Sequence, residues 1–107
     1  MNGVDASECQ CVVNQVVLSG ELIDVEPIRY TPAGVPILSF TLRHHSCIEE
    51  AGGVRQVDCE IPGVCLGPLS VRLQAIPANN AVVLSGFLAA RHHRWKRALV
   101  FHATALA

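Results

Sequence analysis

From Ile37 to His44 the chain alternates with a strict period of two: Ile37, Ser39, Thr41 and Arg43 stand against Leu38, Phe40, Leu42 and His44. Successive side chains of an extended strand point to opposite faces, so Leu38, Phe40 and Leu42 predict one buried face. A helical period of 3.6 would keep Leu38 and Leu42 on one side but turn Phe40 to the opposite side. This segment therefore commits the chain to a sheet, and its neighbours follow the same rule.

"NQVVLSGELIDVEPIRYT", from Asn14 to Thr31, is β-branched and partly alternating, and predicts a first strand with a bulge or bend at Gly20. "TPAGVP" is a turn, since Pro32 presets φ and Gly34 accepts positive φ. The second strand runs on through "ILSFTLRHHSCIE" into the Gly-rich hairpin "EEAGGV". In the third strand, "RQVDCEIPGVCL", Val57, Cys59 and Ile61 share one face, with Asp58 and Glu60 on the other. Leu69, Leu73 and Ile76 would share one side of a short helix that Pro68 and Pro77 confine to about two turns. "AVVLSGFLAAR", with Gly86 inside it, and "ALVFHATAL" complete five strands.

Glycines within the first and fourth strands, a short helix after the third and a long connection between the fourth and fifth predict an all-β architecture. They fit a five-stranded, partly open Greek-key barrel of the oligonucleotide-binding (OB) type. An SH3-like barrel or small sandwich fits the strand lengths less well.

Half of the 107 residues are apolar, enough for one domain with a core of its own. Residues 1–13 read as a flexible leader and 14–107 as the domain. No basic segment followed by a long apolar run opens the chain, and no apolar run is long enough to span a membrane, which predicts a soluble cytoplasmic protein. Five cysteines then read as thiols rather than disulfides, with Cys59 and Cys65 as small core residues. Cys9 and Cys11 lack the spacing of a zinc knuckle. His44/His45 and His92/His93 are adjacent pairs whose members would face opposite ways on a strand, so neither is a natural chelate. No nucleophile–base–orienter set is evident, and no cofactor is expected.

Charge is the informative quantity. Residues 1–60 hold all nine acids against three arginines, net −6, whereas residues 61–107 hold five cations and no acid, net +5. Four of those cations, Arg91, Arg94, Lys96 and Arg97, fall in "ARHHRWKRAL" together with the only Trp, Trp95. In an OB barrel the connection between strands four and five walls the binding groove. Cations there neutralise phosphates, and an indole offers a face on which any unpaired base stacks, for about 1–3 kcal/mol. His92 and His93 lie in the same stretch, and histidine adds charge only as pH falls toward roughly 6.5. Duplex DNA hides its base faces, so the pattern points to single strands. The competing expectation for Trp95 is an indole packed back onto the barrel. Glu49-Glu50 and Asp58/Glu60 read as solvated faces rather than a catalytic dyad.

"VVLSGELIDVEPIRYTPAGVPILSFTLRHHS" resembles the opening of bacterial single-stranded DNA-binding proteins. "LRHHSCIEEAG", "RQVDCEIP", "SGFLAA" and "LVFHA" bring it nearer to the short primosomal replication protein N (PriB) branch of that family, over about Asn14–Ala105. The sequence ends at "HATALA" without the Gly/Pro/Gln-rich tail and acidic tip of a general strand-coating protein, which favours the short branch. The resemblance implies a homodimer of OB folds that binds single-stranded DNA at stalled forks, contacts the restart helicase PriA and, in some bacteria, the loading protein DnaT, with no catalysis of its own. It adds Arg55 and His45 to the expected DNA-binding set. Two aromatic positions of the family fall at about Gly53 and Asp58, which do not stack. An adaptor that holds other proteins, with vestigial DNA binding, is the alternative expectation.

Overall fold

The computed structural model describes residues 12–107. The leader expected over residues 1–13 thus lies outside the described residues except for Val12 and Val13, which are exposed and belong to no strand; Cys9 and Cys11 also lie outside. The elements in chain order are β1 (Val16–Ile23), β2 (Arg29–Tyr30), β3 (Pro36–Glu50), β4 (Gly53–Leu66), α1 (Leu69–Gln74), β5 (Ala81–His92) and β6 (Trp95–Leu106).

Five long strands pair in the order β1-β5-β6-β4-β3, and β1 also pairs with β3, so the sheet closes on itself. The closure is mixed: β4 and β6 run parallel through only two pairs, Gly63↔Phe101 and Val64↔His102, while every other pairing is antiparallel. The barrel is more closed than the partly open form expected. Strand β1 makes this possible by lying along β5 over Val16–Glu21 and along β3 over Glu21–Ile23. At Gly20, where it changes partner, a Cβ would lie 2.3 Å from the Arg43 carbonyl oxygen. Only glycine lets the two backbones approach so closely.

The expected first strand, Asn14 to Thr31, is in fact two pieces. Asp24 takes φ 51°, a left-handed conformation that ends β1 after Ile23. The chain then crosses to the short β2, which pairs with the start of β3. Asn14 precedes β1 but extends its ladder with a side chain: Nδ2 donates to the Leu88 carbonyl (2.7 Å) and Oδ1 accepts from the Leu88 amide (3.0 Å).

Leu38, Phe40 and Leu42 form the buried face of β3, as their alternation predicts, at 0–4 % exposure. They pack with Leu22, Cys65, Leu73, Val82, Leu84, Phe101 and Ala103. Helix α1 closes one end of the barrel with Leu73 fully inside and Leu69 and Ile76 against the core. The hydroxyl of Ser70, also buried, donates to the carbonyls of Cys65 (2.8 Å) and Pro36 (3.3 Å), anchoring α1 to the ends of β3 and β4. Burial pushes the Cys65 thiol up, against the weaker opposing pull of Ser70, so Cys65 is an inert core thiol.

Cys59 is exposed, contrary to its expected place in the core. The alternation of β4 continues past the barrel, but the barrel does not. Strands β3 and β4 pair without slippage from Ile37↔Leu66 to Glu50↔Gly53, across a two-residue turn in which Ala51 and Gly52 both take positive φ. Among the described residues the only other strand contact with β3 beyond residue 40 is β1 at Thr41–Arg43, and β6 meets β4 only at Gly63 and Val64. The distal half of the hairpin is therefore a two-stranded arm with both faces in solvent.

Across β5 and β6 the register slips once between Ser85 and Gly86, placing Gly86 opposite Ala103 with Thr104 as the extra residue. A Cβ on Gly86 would lie 1.7 Å from the His102 carbonyl oxygen. We expect Gly86→Ala to cost about 3 kcal/mol, the upper end of overpacking, and to lower Tm by roughly 10 °C or more in thermal unfolding, whereas Gly53→Ala, in open space, leaves Tm nearly unchanged.

Candidate nucleic-acid interface

Residues that alternate with the core positions build the outer face of the barrel. Ser39 and Thr41 of β3, Pro62 and Val64 of β4 and Val100 and His102 of β6 floor a groove of about 680 Å³. Its walls are the β1–β2 connection, with Asp24 and Glu26, together with Arg29 of β2, and the base of the β5–β6 hairpin, with Ala90 and Arg91. The Glu26 amide donates to the Ser39 carbonyl (2.9 Å), and Arg29 Nη2 donates to Ser39 Oγ (3.3 Å), so this wall is tied to the floor. This is the face, framed by the same two connections, on which OB barrels take oligonucleotides.

The basic stretch is not the long loop expected from sequence. Strand β5 continues to His92 and β6 starts at Trp95, leaving a turn of only His93 and Arg94. Neither turn residue takes positive φ, so the turn lacks the twist that flanking strands favour. The register slips accordingly: between Ala90↔Leu99 and His92↔Trp95, β6 spends four residues where β5 spends two. The extra length presents Lys96 and Arg97 at the hairpin side.

Every residue from Arg91 to Leu99 is exposed. Trp95 is 65 % exposed and meets the edge of His92, ring centroids 5.1 Å apart and nearly perpendicular. It does not pack on the barrel; with His92, His93 and Arg94 it lines a shallow cleft of about 260 Å³ at the hairpin tip. Among the described residues Arg91, Arg94, Lys96 and Arg97 make no ion pair. Arg91 alone of these reaches the main groove.

The other two expected contacts sit elsewhere and are engaged. On the β3–β4 arm His45 Nδ1 lies 2.6 Å from Asp58 Oδ1, its direct cross-strand neighbour, and Arg55 donates to Glu50 (3.1 Å). Arg43 at the arm's root donates to Glu21 (3.0 Å). Asp58 is solvent-exposed, as expected, and is in addition the cross-strand partner of His45. His44, on the opposite face from His45, donates from Nδ1 to the Ser19 carbonyl (2.7 Å) and accepts the Ser46 hydroxyl at Nε2 (2.8 Å). The arm is acidic where the β5–β6 hairpin is basic. Among the described residues no three metal-ligating side chains converge, and no helix is long and apolar enough to cross a membrane.

Residues 14–105 match a family described as another single-strand binding protein family. The replication restart protein PriB of Nitrosomonas europaea is 35 % identical over 89 residues, covering 83 % of this chain and 82 % of that protein. The chain belongs to the PriB family. PriB of Neisseria gonorrhoeae is 41 % identical over 81 residues, covering 76 % of this chain and 80 % of its own length. The solved structure of PriB from Ralstonia solanacearum is similar, with a TM-score of 0.81 at 35 % identity, over 90 % of this chain and 97 % of that one. The single-stranded DNA binding protein of Thermus aquaticus, at 24 % identity and a TM-score of 0.69, shares the fold.

Against other PriB sequences the positions Gly53 and Asp58 were expected to lack stacking aromatics. Gly53 follows directly on the arm's turn, and Asp58 is held by His45. Sequence reasoning missed Arg29, which was not separated from its surroundings by any motif, and His102, which looked like one more alternating strand residue. Alternation did carry a usable signal for Ser39 and Thr41, since whatever lies opposite Leu38 and Phe40 must face outward. Because Trp95 is largely exposed at the hairpin tip, Trp95→Ala is expected to shift stability by no more than about 0.5 kcal/mol in denaturant unfolding, while an indole packed on the barrel would cost several times that.

Proposed function

We propose that this chain is a non-catalytic single-stranded DNA-binding component of the replication-restart machinery. The observation that carries the reading is the β5–β6 hairpin: four cations without an acidic partner among the described residues, and one exposed indole, standing at the wall of an OB groove. Phosphates take the cations, and Trp95 takes a base. His92 and His93 supply further donors at the tip, and the short turn holds all of these side chains on a β-ribbon, which limits the entropy lost on binding.

PriA is the proposed helicase partner, with stabilisation of its complex on forked DNA as the role, and DnaT is a further partner where the machinery includes one. The protein works as a homodimer in the cytoplasm. His45 and Arg55 contribute to DNA binding only at the cost of their pairs with Asp58 and Glu50, which makes them weaker contributors than the hairpin cations.

The test is fluorescence-anisotropy titration of a labelled oligonucleotide over a range of salt concentrations. If all four hairpin cations reach phosphates, log K against log[salt] falls with a slope of roughly −3 per protomer. Trp95→Ala lowers affinity by about 1–3 kcal/mol. A slope near −1 would mean that most of the hairpin never touches the strand. The adaptor reading draws support from the acidic arm, where the family's aromatics are missing and Arg55 and His45 are paired with acids; absence of binding even at low salt would establish it in place of the first.

A further inference from the structure

The outer face of the barrel contains one cross-strand row whose chemistry the hairpin does not account for. Phe87 on β5 is opposite His102 on β6, His102 is opposite Val64 on β4, and Val64 is opposite Ser39 on β3. Arg29 of β2 ends the row, donating to the Ser39 hydroxyl. Four of these five residues line the groove.

The rings of Phe87 and His102 lie 10° from parallel with centroids 4.7 Å apart. That separation matches the spacing of adjacent strands, about 4.8 Å. The rings therefore face each other along the strand-to-strand direction, with one face of His102 covered by Phe87 and the other turned toward β4. Next in that direction comes Val64, whose short side chain leaves the space above β4 unfilled. From β6 to β3 is two strand intervals, roughly 10 Å. A flat ring held between two flat groups needs about twice the 3.4 Å repeat of stacked bases, roughly 7 Å, so the far wall of such a slot must stand about 3 Å in from β3. On the far side the Arg29 guanidinium, held by Ser39, is a planar cation of the kind that stacks on aromatic faces.

We propose that the groove holds one unpaired base in a slot between His102 and Arg29, extending the Phe87–His102 stack by a third ring. The acids of the same wall decide between base and phosphate: Asp24 and Glu26 line the groove beside Arg29 and repel a phosphate, yet they accept hydrogen bonds from the exocyclic amino groups of bases. The slot thus takes the base while Arg91 and the hairpin take the backbone. It lies on the barrel and not on the β3–β4 arm, and it supplies stacking where Gly53 and Asp58 do not. This assignment rests on the single-strand reading above.

An oligonucleotide carrying a single 2-aminopurine, moved stepwise along the strand, tests it. With the wild-type protein, one position should show quenched fluorescence on binding. His102→Leu, which keeps the volume and removes the π-face, should relieve the quench and weaken binding roughly five- to hundred-fold. Phe87→Leu should give a partial version of both effects. Should His102→Leu fail to fold, an abasic site walked along the strand with wild-type protein gives the same answer, since one position should lose affinity by a comparable factor. Tight wild-type binding with no quenched position, or with quench and affinity unmoved by His102→Leu, would overturn the slot and leave the single-strand reading standing. No binding by the wild type at low salt would overturn both.

Discussion

Barrel closure depends on the approach of two backbones at Gly20. There β1 leaves β5 and joins β3, and the Arg43 carbonyl lies where any other residue would carry its Cβ. Because β1 serves both neighbours, the outward faces of β3, β4 and β6 curve into a common groove instead of spreading into a flat sheet. Gly86 does the equivalent on the opposite side, where β5 presses on the His102 carbonyl and β6 carries a bulge. That bulge sets which face His102 shows, and so the backbone contact and the chemistry of the groove are linked.

Closure also explains the contrast between the two long hairpins. Strands β3 and β4 outrun the barrel and keep perfect register, because Ala51 and Gly52 adopt the twist that a two-residue turn demands. Their cations are engaged: His45 meets Asp58 directly across the ladder, Arg55 reaches Glu50 near the turn, and Arg43 at the root takes Glu21 of β1. Strands β5 and β6 also extend outward, but their turn lacks positive φ and the register slips. Their cations face no acid across the ladder and keep their charge available to an anion. The same secondary structure thus occupies the cations of one arm and, among the described residues, leaves those of the other without an acidic partner.

For a strand binder this division has a consequence for the path of the ligand. In the proposed binding mode the phosphate backbone follows the β5–β6 hairpin and avoids the β3–β4 arm. The groove between them mixes Arg29 and Arg91 with Asp24 and Glu26, a balance that suits bases better than phosphates.

The core face of β3, the turn at Thr31–Pro36, the two-turn helix and the basic cluster were legible in the linear sequence. Each rests on local physics: a period of two, the φ preferences of proline and glycine, and charge concentrated in a few consecutive residues. The extent of β1, the exposure of Cys59 and the conversion of an expected loop into a ribbon were not, because they depend on where neighbouring strands stop. The pairing of His45 with Asp58 and the row from Phe87 to Arg29 required registers between segments far apart in the chain, among them the two-pair parallel contact of β4 with β6. Sequence alone determined that the chain is a β-barrel with a cationic, aromatic-bearing segment; only the tertiary structure decided which of its charges are cancelled and which rings share a groove, since both follow from cross-strand register and closure rather than from local preference.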